Sequence, residues 1–345
     1  MIATMDILDH MKTRLGMYVP VNNDGGPTNS VWMVLLREVV EGGIWEFRSG
    51  RATRLEIRSD ETDTVSIRYD GICKPPERMF AMCNGETELL ESNDGRKGWY
   101  DGLELALLNV LSEQLEIDII HDGRWRKLVS GHRQVGSVEE LLPLFPRQMS
   151  ETCVRFRPCD EYREASDGNI YKGKLLKNMG KAIAFANPGL RVTVNGVEMV
   201  YKDGVGDILR EVVARSEKRP LIAPRQACFG TAKISLAIVS RTSQGRRITL
   251  RTFVNGWESQ KGKLPEVVIG ELSAWIASCP ILRQGDYECV CVVEGRFPGG
   301  DLWQNGLKYA WSGANVTFDF DCALSKIWRN DIKRCWVELF KDSVA

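Results

Sequence analysis

The stretch VWMVLLREVVEGGIWEF, residues 31–47, combines an apolar helical repeat with two adjacent glycines. Its apolar residues recur at close to helical spacing, at Val31, Val34, Leu35, Val39, Ile44 and Trp45. Gly42 and Gly43 lie inside that repeat, and each glycine in a helix interior costs about 1 kcal/mol relative to alanine. The pattern predicts a helix over residues 30–49 that forms because its apolar face is buried, since tertiary packing outweighs propensity.

Composition indicates a globular protein without a global bias toward polyanions. The 345 residues are 43% hydrophobic and 27% charged, with 46 Lys and Arg against 46 Asp and Glu. A chain of this length and composition can bury a sizeable core, and two domains are expected rather than one. The balanced charge excludes nucleic-acid or membrane binding that is driven by net charge alone.

The N-terminal sequence, the lengths of the apolar runs and the cysteine spacing favour a cytoplasmic protein with reduced thiols. No run of apolar residues is long enough to predict a membrane span, and the N-terminal MIATMDILDHMKTRLG lacks the apolar core of a signal peptide. The ten cysteines include no C-x-x-C pair, and the chain has three histidines. A zinc site is therefore not expected, and we interpret the cysteines as buried, reduced thiols.

Residues 1–218 alternate helix-like and strand-like segments, which indicates an α+β domain. After the first long helix, strands are predicted at 55–59 and 64–71, the second alternating apolar and polar residues from Val65 to Asp70. The remaining predictions for this part are an irregular segment at 72–100, a helix at 102–115, a hairpin around Asp122-Gly123, a strand at 152–158, a helix stopped by Asn187-Pro188-Gly189, a hairpin around Asn195-Gly196 and a helix over GVGDILREVVARS.

A break in the pattern separates the two halves. The segment EKRPLIAPRQA, residues 217–227, has two prolines and no periodicity. We place the domain boundary there, between residues 1–218 and residues 219–345. Beyond it the sequence predicts strands at 231–240 and 247–255, a helix over PEVVIGELSAWIAS, a strand over DYECVCVVEG and a final helix from about 321. Strands joined by crossover helices indicate a second, smaller α+β domain.

Several stretches, in this order along the chain, resemble the motifs of one protein family. They are MDILDHMKTRLGMYVP, LLREVVEGGIWEFRSG, VSIRYDG, GWYDGLELALLNVLSEQLEI, TCVRFRP, FANPGLRVTV and RTFVNG. Together they resemble the B subunit of DNA gyrase and its relative in topoisomerase IV, over nearly the whole chain. The resemblance implies a GHKL (Bergerat-type) ATPase sandwich of sheet and helices, followed by a transducer domain. Counterparts of the family's N-terminal dimerising arm and C-terminal cleavage core are not expected.

The glycine-bearing helix resembles the family's ATP-binding helix, E-V-V-D-N-x-x-D-E-x-x-x-G. In that family the first Glu activates the water that attacks the γ-phosphate, and the resemblance assigns this role to Glu38. The family's Asn, which holds Mg²⁺ through its side-chain oxygen, corresponds to Gly42, which has no side chain. Glu41, one turn from Glu38, is a candidate substitute ligand for Mg²⁺, and the alternative is a solvated surface carboxylate.

The strand VSIRYDG resembles the family strand ending in D-D-G-R-G-I-P, which carries an adenine-binding Asp. The resemblance assigns adenine binding to Asp70, with Gly71 allowing the base to approach closely. Thr152 would assist through its hydroxyl or a bridging water. The alternative for Asp70 is an ordinary residue of an Asp-Gly turn. Cys73 stands where the family has a glycine, and its side chain would narrow the pocket.

The phosphate-binding elements depart from the family pattern. The resemblance assigns phosphate binding to Gly98 and Gly102, beside the N-terminus of the following helix. Asp101 and Glu104 replace a His and a Gly of the family; carboxylates there would repel a triphosphate, although a helix N-terminus also favours them without a ligand. Lys308 lies two residues beyond the position of the transducer lysine that reaches the γ-phosphate. It is expected either to reach that phosphate or to be a surface residue.

The resemblance implies an ATP-operated clamp, with ATP and Mg²⁺ as cofactors. Its partners would be a second copy or gyrase- and topoisomerase-type subunits, with DNA as a further candidate. Departures at Gly42, Cys73, Glu104 and Gly306 predict weak or lost hydrolysis. The alternative is a degenerate pseudo-ATPase that keeps the fold as an interaction or regulatory module. We also expect Gly42→Asn to raise stability by roughly a few tenths of a kcal/mol, since Asn is the better helix residue.

Overall fold

A computed structural model describes most of the chain. The described residues are 7–19, 29–86, 88–91, 97–101, 103–131, 136–141, 149–160, 174–215, 220–230, 232–240, 247–254, 257–259, 270, 272–274, 276–277, 287–295, 308–312, 315–319, 330–335 and 337–339. Contacts divide the chain into two compact units. The first unit comprises residues 1–181, 190–199 and 311–316, and the second comprises residues 182–189, 200–310 and 317–345.

The first unit is built from helices and one large sheet. Its helices are α1 (Ile7–Thr13), α2 (Asn29–Arg48), α3 (Pro76–Cys83), α4 (Leu103–Leu111) and α5 (Lys174–Ala186), the last of which continues into the second unit. Its strands are β1 (Arg54–Ser59), β2 (Val65–Tyr69), β3 (Glu88–Glu91), β4 (Lys97–Asp101), β5 (Ser112–His121), β6 (Arg124–Gly131), β7 (Ser137–Leu141), β8 (Glu151–Pro158), β9 (Arg191–Val194) and β10 (Val197–Met199). Strands β3 and β4 form a separate hairpin.

The large sheet has eight strands in the order β10-β9-β1-β2-β8-β5-β6-β7. All neighbouring pairs are antiparallel except β1 and β9, which run parallel. Alternation along each strand gives the sheet two different faces. One face carries buried apolar residues such as Leu55, Ile67 and Val154 and is contacted by α2 and α4, whereas the other carries exposed residues such as Arg68 and Arg155.

The second unit has a five-stranded sheet of its own. Its elements are α6 (Val205–Arg215), β11 (Pro220–Phe229), β12 (Ala232–Ser240), β13 (Arg247–Val254), β14 (Trp257–Ser259) and β15 (Tyr287–Gly295), with the sheet order β11-β12-β15-β13-β14. Helix α6 packs against β11, β12 and β15. A core cluster that includes Phe185, Ile208, Phe253 and Val292 joins the helices of this unit to its sheet. Strands β16 (Lys308–Ser312) and β17 (Asn315–Asp319) form a further hairpin.

Several local predictions are confirmed. The glycine-bearing helix spans Asn29–Arg48, close to the predicted 30–49. The predicted hairpins connect β5 to β6 and β9 to β10, and their turn residues Asp122, Gly123, Asn195 and Gly196 all have positive φ. Positive φ at both central residues is the geometry that Asp-Gly and Asn-Gly turns favour. Among the described residues, no helix is long and apolar enough to cross a membrane.

Three local predictions are wrong. The helix predicted at 102–115 ends at Leu111, because the alternation of Leu115 and Ile117 belongs to β5, which pairs with β6 and β8. The irregular segment predicted at 72–100 contains α3, which accommodates its proline in the first turn, and the β3–β4 hairpin. The break predicted at 217–227 overlaps β11, an edge strand whose register shifts near its prolines.

The boundary at 218/219 stays a prediction. Residues 182–189 and 200–218 belong to the second compact unit by their contacts, but contacts do not test which segment folds independently.

Glycine positions in two helices offer a matched test of the packing. A methyl group at Gly180 in α5 would overlap Val194 Cγ2 of β9 and approach Met199 Cε to 3.3 Å, whereas one at the helical Gly270 would meet open space. Gly180→Ala should lower the free energy of unfolding by about 1–3 kcal/mol through overpacking. Gly270→Ala should raise it by about 0.5–1 kcal/mol. Denaturant unfolding measures both, and shifts of the same sign would contradict the packing of α5 on β9.

Candidate functional site

Helix α2 approaches the end of the sheet through its glycine pair. A methyl group built at Gly42 would lie 2.9 Å from Cys73 Sγ and 2.9 Å from Tyr69 Oη. One at Gly43 would lie 3.1 Å from Leu55 Cδ1 and 3.1 Å from Tyr69 Cβ. Real Cβ atoms do not come within 3.0 Å of such neighbours, so Gly42 in particular is required by close approach of the helix to β2. The glycine pair is thus explained by packing.

This contact overturns the expectation that Gly42→Asn raises stability through the higher helix propensity of Asn. Any side chain at Gly42 would collide with Tyr69 and Cys73, and overpacking costs typically about 1–3 kcal/mol. That cost exceeds the propensity gain of roughly a few tenths of a kcal/mol. The substitution is therefore expected to destabilise the protein.

Tyr69 and Cys73 fill the space beside Gly42. The Tyr69 hydroxyl donates a hydrogen bond of 3.2 Å to Cys73 Sγ, and the Tyr69 side chain is fully buried. Burial raises the pKa of Tyr69 well above its ordinary value, and burial likewise raises the pKa of the Cys73 thiol. Both groups are therefore neutral near pH 7, and neither presents a charge to a ligand.

Sequence reasoning missed Tyr69, although the signal for it was present. Val65, Ile67 and Tyr69 are the buried residues of β2. Since side chains alternate along a strand, Tyr69 must share the face that α2 covers. Asp70 is the next residue, and the same alternation assigns its side chain to the other face. The side chain that faces the glycine pair is therefore that of Tyr69.

Asp70 is held by the neighbouring strand. Its Oδ1 accepts hydrogen bonds of 2.8 Å from the backbone N–H groups of both Thr53 and Arg54. Its Oδ2 accepts one of 2.6 Å from the Thr53 hydroxyl. These bonds tie the end of β2 to the start of β1. The adenine role of Asp70 stays a prediction, and it would require the carboxylate to give up some of these partners.

Gly71 and Thr152, two predicted site residues, are brought into contact. The Thr152 hydroxyl donates a hydrogen bond of 2.7 Å to the Gly71 carbonyl, and Thr152 is buried. Gly71 has φ of +145°, and a methyl group there would lie 2.8 Å from Glu46 Oε2. The glycine is therefore fixed by backbone conformation and by close packing against α2.

Glu46 is a second residue that sequence reasoning missed. It is fully buried near the end of α2. Arg51 donates to both of its carboxylate oxygens, with Nη2 to Oε1 at 2.6 Å and Nε to Oε2 at 3.0 Å. The Arg51 guanidinium also lies over the Trp45 ring, 4.7 Å from its centre. A two-point ion pair of this kind compensates the buried charge and fixes the helix end beside Gly71.

Glu41, the candidate Mg²⁺ ligand, is paired with a cation. Its Oε1 accepts a hydrogen bond of 3.0 Å from Arg37 Nε, and both side chains are largely buried. The alternative of a solvated carboxylate is therefore wrong. Burial raises the pKa of Glu41 despite the opposing effect of Arg37. The described residues contain no cluster of three or more His, Cys, Asp or Glu that could hold a metal ion, and the Mg²⁺-binding role of Glu41 stays a prediction.

The other predicted site residues are described only by their place in the fold. Glu38 lies in α2, one turn before Glu41 and Gly42, and its side chain is outside the described structure. Gly98 lies in β4, and Lys308 begins β16 with its side chain likewise outside. Gly102, and Gly306 before Lys308, are outside the described residues. Their phosphate-binding roles stay predictions.

Comparison with known proteins confirms the resemblance at the level of sequence. No family model matches the chain. The DNA gyrase B subunit of Mycolicibacterium smegmatis is 24% identical over 226 residues, which cover 61% of this chain and 31% of that protein. The chain thus matches about a third of the length of this curated relative.

Comparison with solved structures confirms the fold. The B subunit of the DNA gyrase from Myxococcus xanthus superposes with a TM-score of 0.66 at 17% identity, covering 97% of this chain and 96% of that chain. The 43K ATPase domain of Thermus thermophilus gyrase B, solved with an aminocoumarin, gives a TM-score of 0.59 at 14% identity, with coverage of 98% and 91%. The chain therefore has the α+β fold of the gyrase B ATPase region, as predicted.

A double-mutant cycle tests the contact of α2 with β2. Gly42→Ala should lower the free energy of unfolding, because the new methyl group meets Tyr69 Oη and Cys73 Sγ. In a Tyr69→Phe, Cys73→Ala background, which removes those two atoms, the cost should shrink by about 0.5–3 kcal/mol, the range for residues in contact. A Cys83→Ala background serves as the control, since Cys83 is buried elsewhere. Equal costs in all three backgrounds would refute the contact.

Proposed function

We propose that this chain is a degenerate relative of the gyrase B ATPase region, one that keeps the fold as an interaction or regulatory module with weak or lost ATP hydrolysis. Its likeness to gyrase B subunits in sequence and fold supports the general class. One observation carries the specific proposal: the chain's own Tyr69 and Cys73 fill the space beside Gly42 on the ATP-binding helix.

The filled space bears directly on nucleotide binding. In the family, the helix position of Gly42 faces the metal and the strand end of β2 faces the base. Here the helix and strand are in direct contact through Gly42, Gly43 and Tyr69, and the Tyr69 hydroxyl lies beside Gly42. The Thr152 hydroxyl is also engaged by the Gly71 carbonyl. Adenine binding would therefore require Tyr69 to leave a fully buried position.

The charged groups near the helix support the same proposal. The carboxylate of Glu41 forms an ion pair with Arg37, which competes with binding of a metal. Gly42 has no side-chain oxygen that could bind a metal. Loss of one group that stabilises the transferring phosphoryl typically lowers the rate by about 10²–10³. Loss of the metal ligand together with the base-binding space would leave little or no turnover, even with Glu38 kept as the general base.

The competing candidate is an ATP-operated clamp with slow turnover. It is favoured by the positions that keep the family residue, Glu38, Asp70 and Thr152. In that case ATP and Mg²⁺ would bind after a rearrangement of Tyr69, and Lys308 would reach the γ-phosphate. The two candidates differ in one property, which is whether the chain binds and turns over ATP.

The proposed partners follow from the class of relatives. The relative that the chain matches is named as one subunit of an enzyme, DNA gyrase. We propose a homodimer, or a heteromer with gyrase- or topoisomerase-type subunits in the cytoplasm. Binding to such a subunit would retain the architectural role of the fold after its chemistry is lost.

Steady-state ATPase measurements separate the two candidates. The wild-type chain and its Glu38→Ala variant should show the same background rate, because the proposed module performs no catalysis for Glu38 to support. Asp70→Asn should also leave that rate unchanged. The added control is a mixture with a gyrase A-type subunit and DNA, in case turnover needs partners. A wild-type rate clearly above background that is lost in Glu38→Ala would contradict the proposal and establish the ATP-operated clamp.

A further inference from the structure

One edge of the large sheet is a bare strand. Strand β7 ends the order of eight strands and pairs with β6 alone. Within the part of the chain that the structure describes, no strand pairs with its outer side. Residues 137–140 of β7 are all exposed. The outer side of β7 is therefore accessible to a ligand.

The register of the β5–β6 hairpin shows which backbone groups of β7 point outward. In a two-residue hairpin the residues that flank the turn exchange hydrogen bonds, so Arg124 bonds to β5. Because alternate residues of a strand bond to opposite neighbours, Lys127 bonds to β7 and its partner Glu139 bonds back to β6. Val138 and Glu140 therefore direct their N–H and C=O groups away from the sheet.

Gly136 supports this assignment and shows where the free edge begins. It lies two residues before Val138, so its N–H also points away from β6. That N–H donates a hydrogen bond of 2.7 Å to Asn84 Oδ1, just after α3. Among the described residues, no such partner is found for the N–H groups of Val138 and Glu140. Unpaired backbone groups along an edge are a template for a further strand.

The other edges of the two multi-stranded sheets are protected. Strands β10 and β14 have three residues each. Strand β11 contains Pro220 and Pro224, and its Arg225 Nη1 donates a hydrogen bond of 3.1 Å to the Leu339 carbonyl. Short strands, prolines and covering segments are the usual ways in which proteins block edge pairing. Strand β7 has five residues and no proline, so it is the edge best suited to a partner.

Exposed valines flank this edge on both faces of the sheet. Val138 is 53% exposed and lies opposite the buried Leu128, so it belongs to the face that the helices cover. Val129 is 39% exposed and lies opposite Ser137, on the open face. Because Ser137 is small, a long side chain from an added strand can reach over it to Val129. An added strand would thus bury apolar surface on both faces.

The side chains of β7 add negative charge on both faces. Glu140 pairs with Arg124 at 3.3 Å, but both side chains are more than half exposed, and exposed pairs contribute little to stability. Glu139 lies opposite Lys127, whose ammonium pairs with Glu116 at 3.2 Å. Within the described residues, no ion pair of the Glu139 carboxylate is found. Strand β7 thus carries two carboxylates and no cation of its own.

We propose that β7 binds an extended, basic segment of a partner protein, which joins the large sheet as a further strand. In this mode of recognition main-chain hydrogen bonds supply affinity and side chains supply specificity. In antiparallel pairing the segment would place basic residues opposite Glu140 and Glu139 and an apolar residue opposite Val138. Opposite charges across a strand pair stabilise the pairing. From its N-terminus the segment therefore reads basic, basic, apolar.

A second copy of this chain fits the edge less well. Antiparallel pairing of β7 with its own copy, centred on Glu139, would set that carboxylate against its counterpart, and like charges directly opposite are destabilising. The acids of β7 therefore oppose self-pairing and favour a basic partner. The inference goes beyond the proposed function, since it holds whether or not the chain binds ATP.

The test is fluorescence anisotropy of a labelled peptide titrated with the full chain. The peptide has about ten residues, the upper end of strand lengths, and alternates valine and threonine around two adjacent lysines. The wild type should bind it saturably. Val138→Pro should weaken binding about tenfold, because it removes an outward N–H and leaves a peptide carbonyl unpaired. Glu139→Gln with Glu140→Gln should weaken it about threefold, the effect of losing exposed ion pairs.

A proline on the opposite edge of the same sheet is the matched control. Val194 and Val197 flank the two-residue turn between β9 and β10, so the N–H of Glu198 points outward from β10. Glu198→Pro should leave the affinity for the peptide at the wild-type value. Equal weakening by Glu198→Pro and Val138→Pro would overturn the proposal, as would absence of saturable binding.

Two further measurements identify the occupant. A peptide with glutamines in place of the lysines should bind the wild type more weakly than the lysine peptide does, and equal affinity would overturn the requirement for a basic segment. Sedimentation of the chain alone should show no self-association that depends on β7. A dimer that is lost in Val138→Pro would overturn the proposal, because it would identify a second copy as the occupant.

Discussion

The described part of the first unit depends on how closely α2 can approach the sheet. Gly42 and Gly43 remove the side chains that would otherwise separate the helix from Tyr69, Leu55 and Cys73. Propensity alone opposes two glycines in a helix interior, at about 1 kcal/mol each. Burial of the apolar face, including Trp32, Leu36 and Val40, outweighs that cost at about 25 cal/mol per Å² of apolar surface removed from water.

The same contact determines which chemistry this end of the sheet can perform. A tyrosine and a thiol occupy the space beside the helix, and burial raises the pKa of both, which keeps them neutral. Three nearby carboxylates whose side chains are described each have a structural partner: Arg51 for Glu46, Arg37 for Glu41, and the β1 backbone for Asp70. Polar groups committed to such bonds stabilise the fold but are not free to bind a ligand, which is why we propose a module that has lost its catalytic role.

The sequence predicted those parts of the fold that depend on local turn residues or on recognisable motifs, and it failed for those that depend on tertiary pairing. Local turn chemistry was enough for the hairpins at Asp122-Gly123 and Asn195-Gly196, and ordered motifs were enough for the fold. Predictions failed where tertiary pairing overrode local pattern. Ser112 begins β5 because that strand pairs with β8 and β6, and Pro220 begins an edge strand that tolerates its missing N–H. At the site, motif matching selected Asp70, whereas the alternation of Val65, Ile67 and Tyr69 already indicated that the tyrosine faces the helix.

The central claim is that the chain's own side chains occupy the space where a nucleotide would bind. Calorimetric titration with a non-hydrolysable ATP analogue, with and without Mg²⁺, tests it most directly because binding is measured apart from turnover. The account predicts no saturable heat for the wild type at millimolar analogue, with or without the metal. Saturable, Mg²⁺-dependent binding that is lost in Asp70→Asn would contradict it, since that result would require Tyr69 to vacate its buried position and Asp70 to leave its β1 partners for the base.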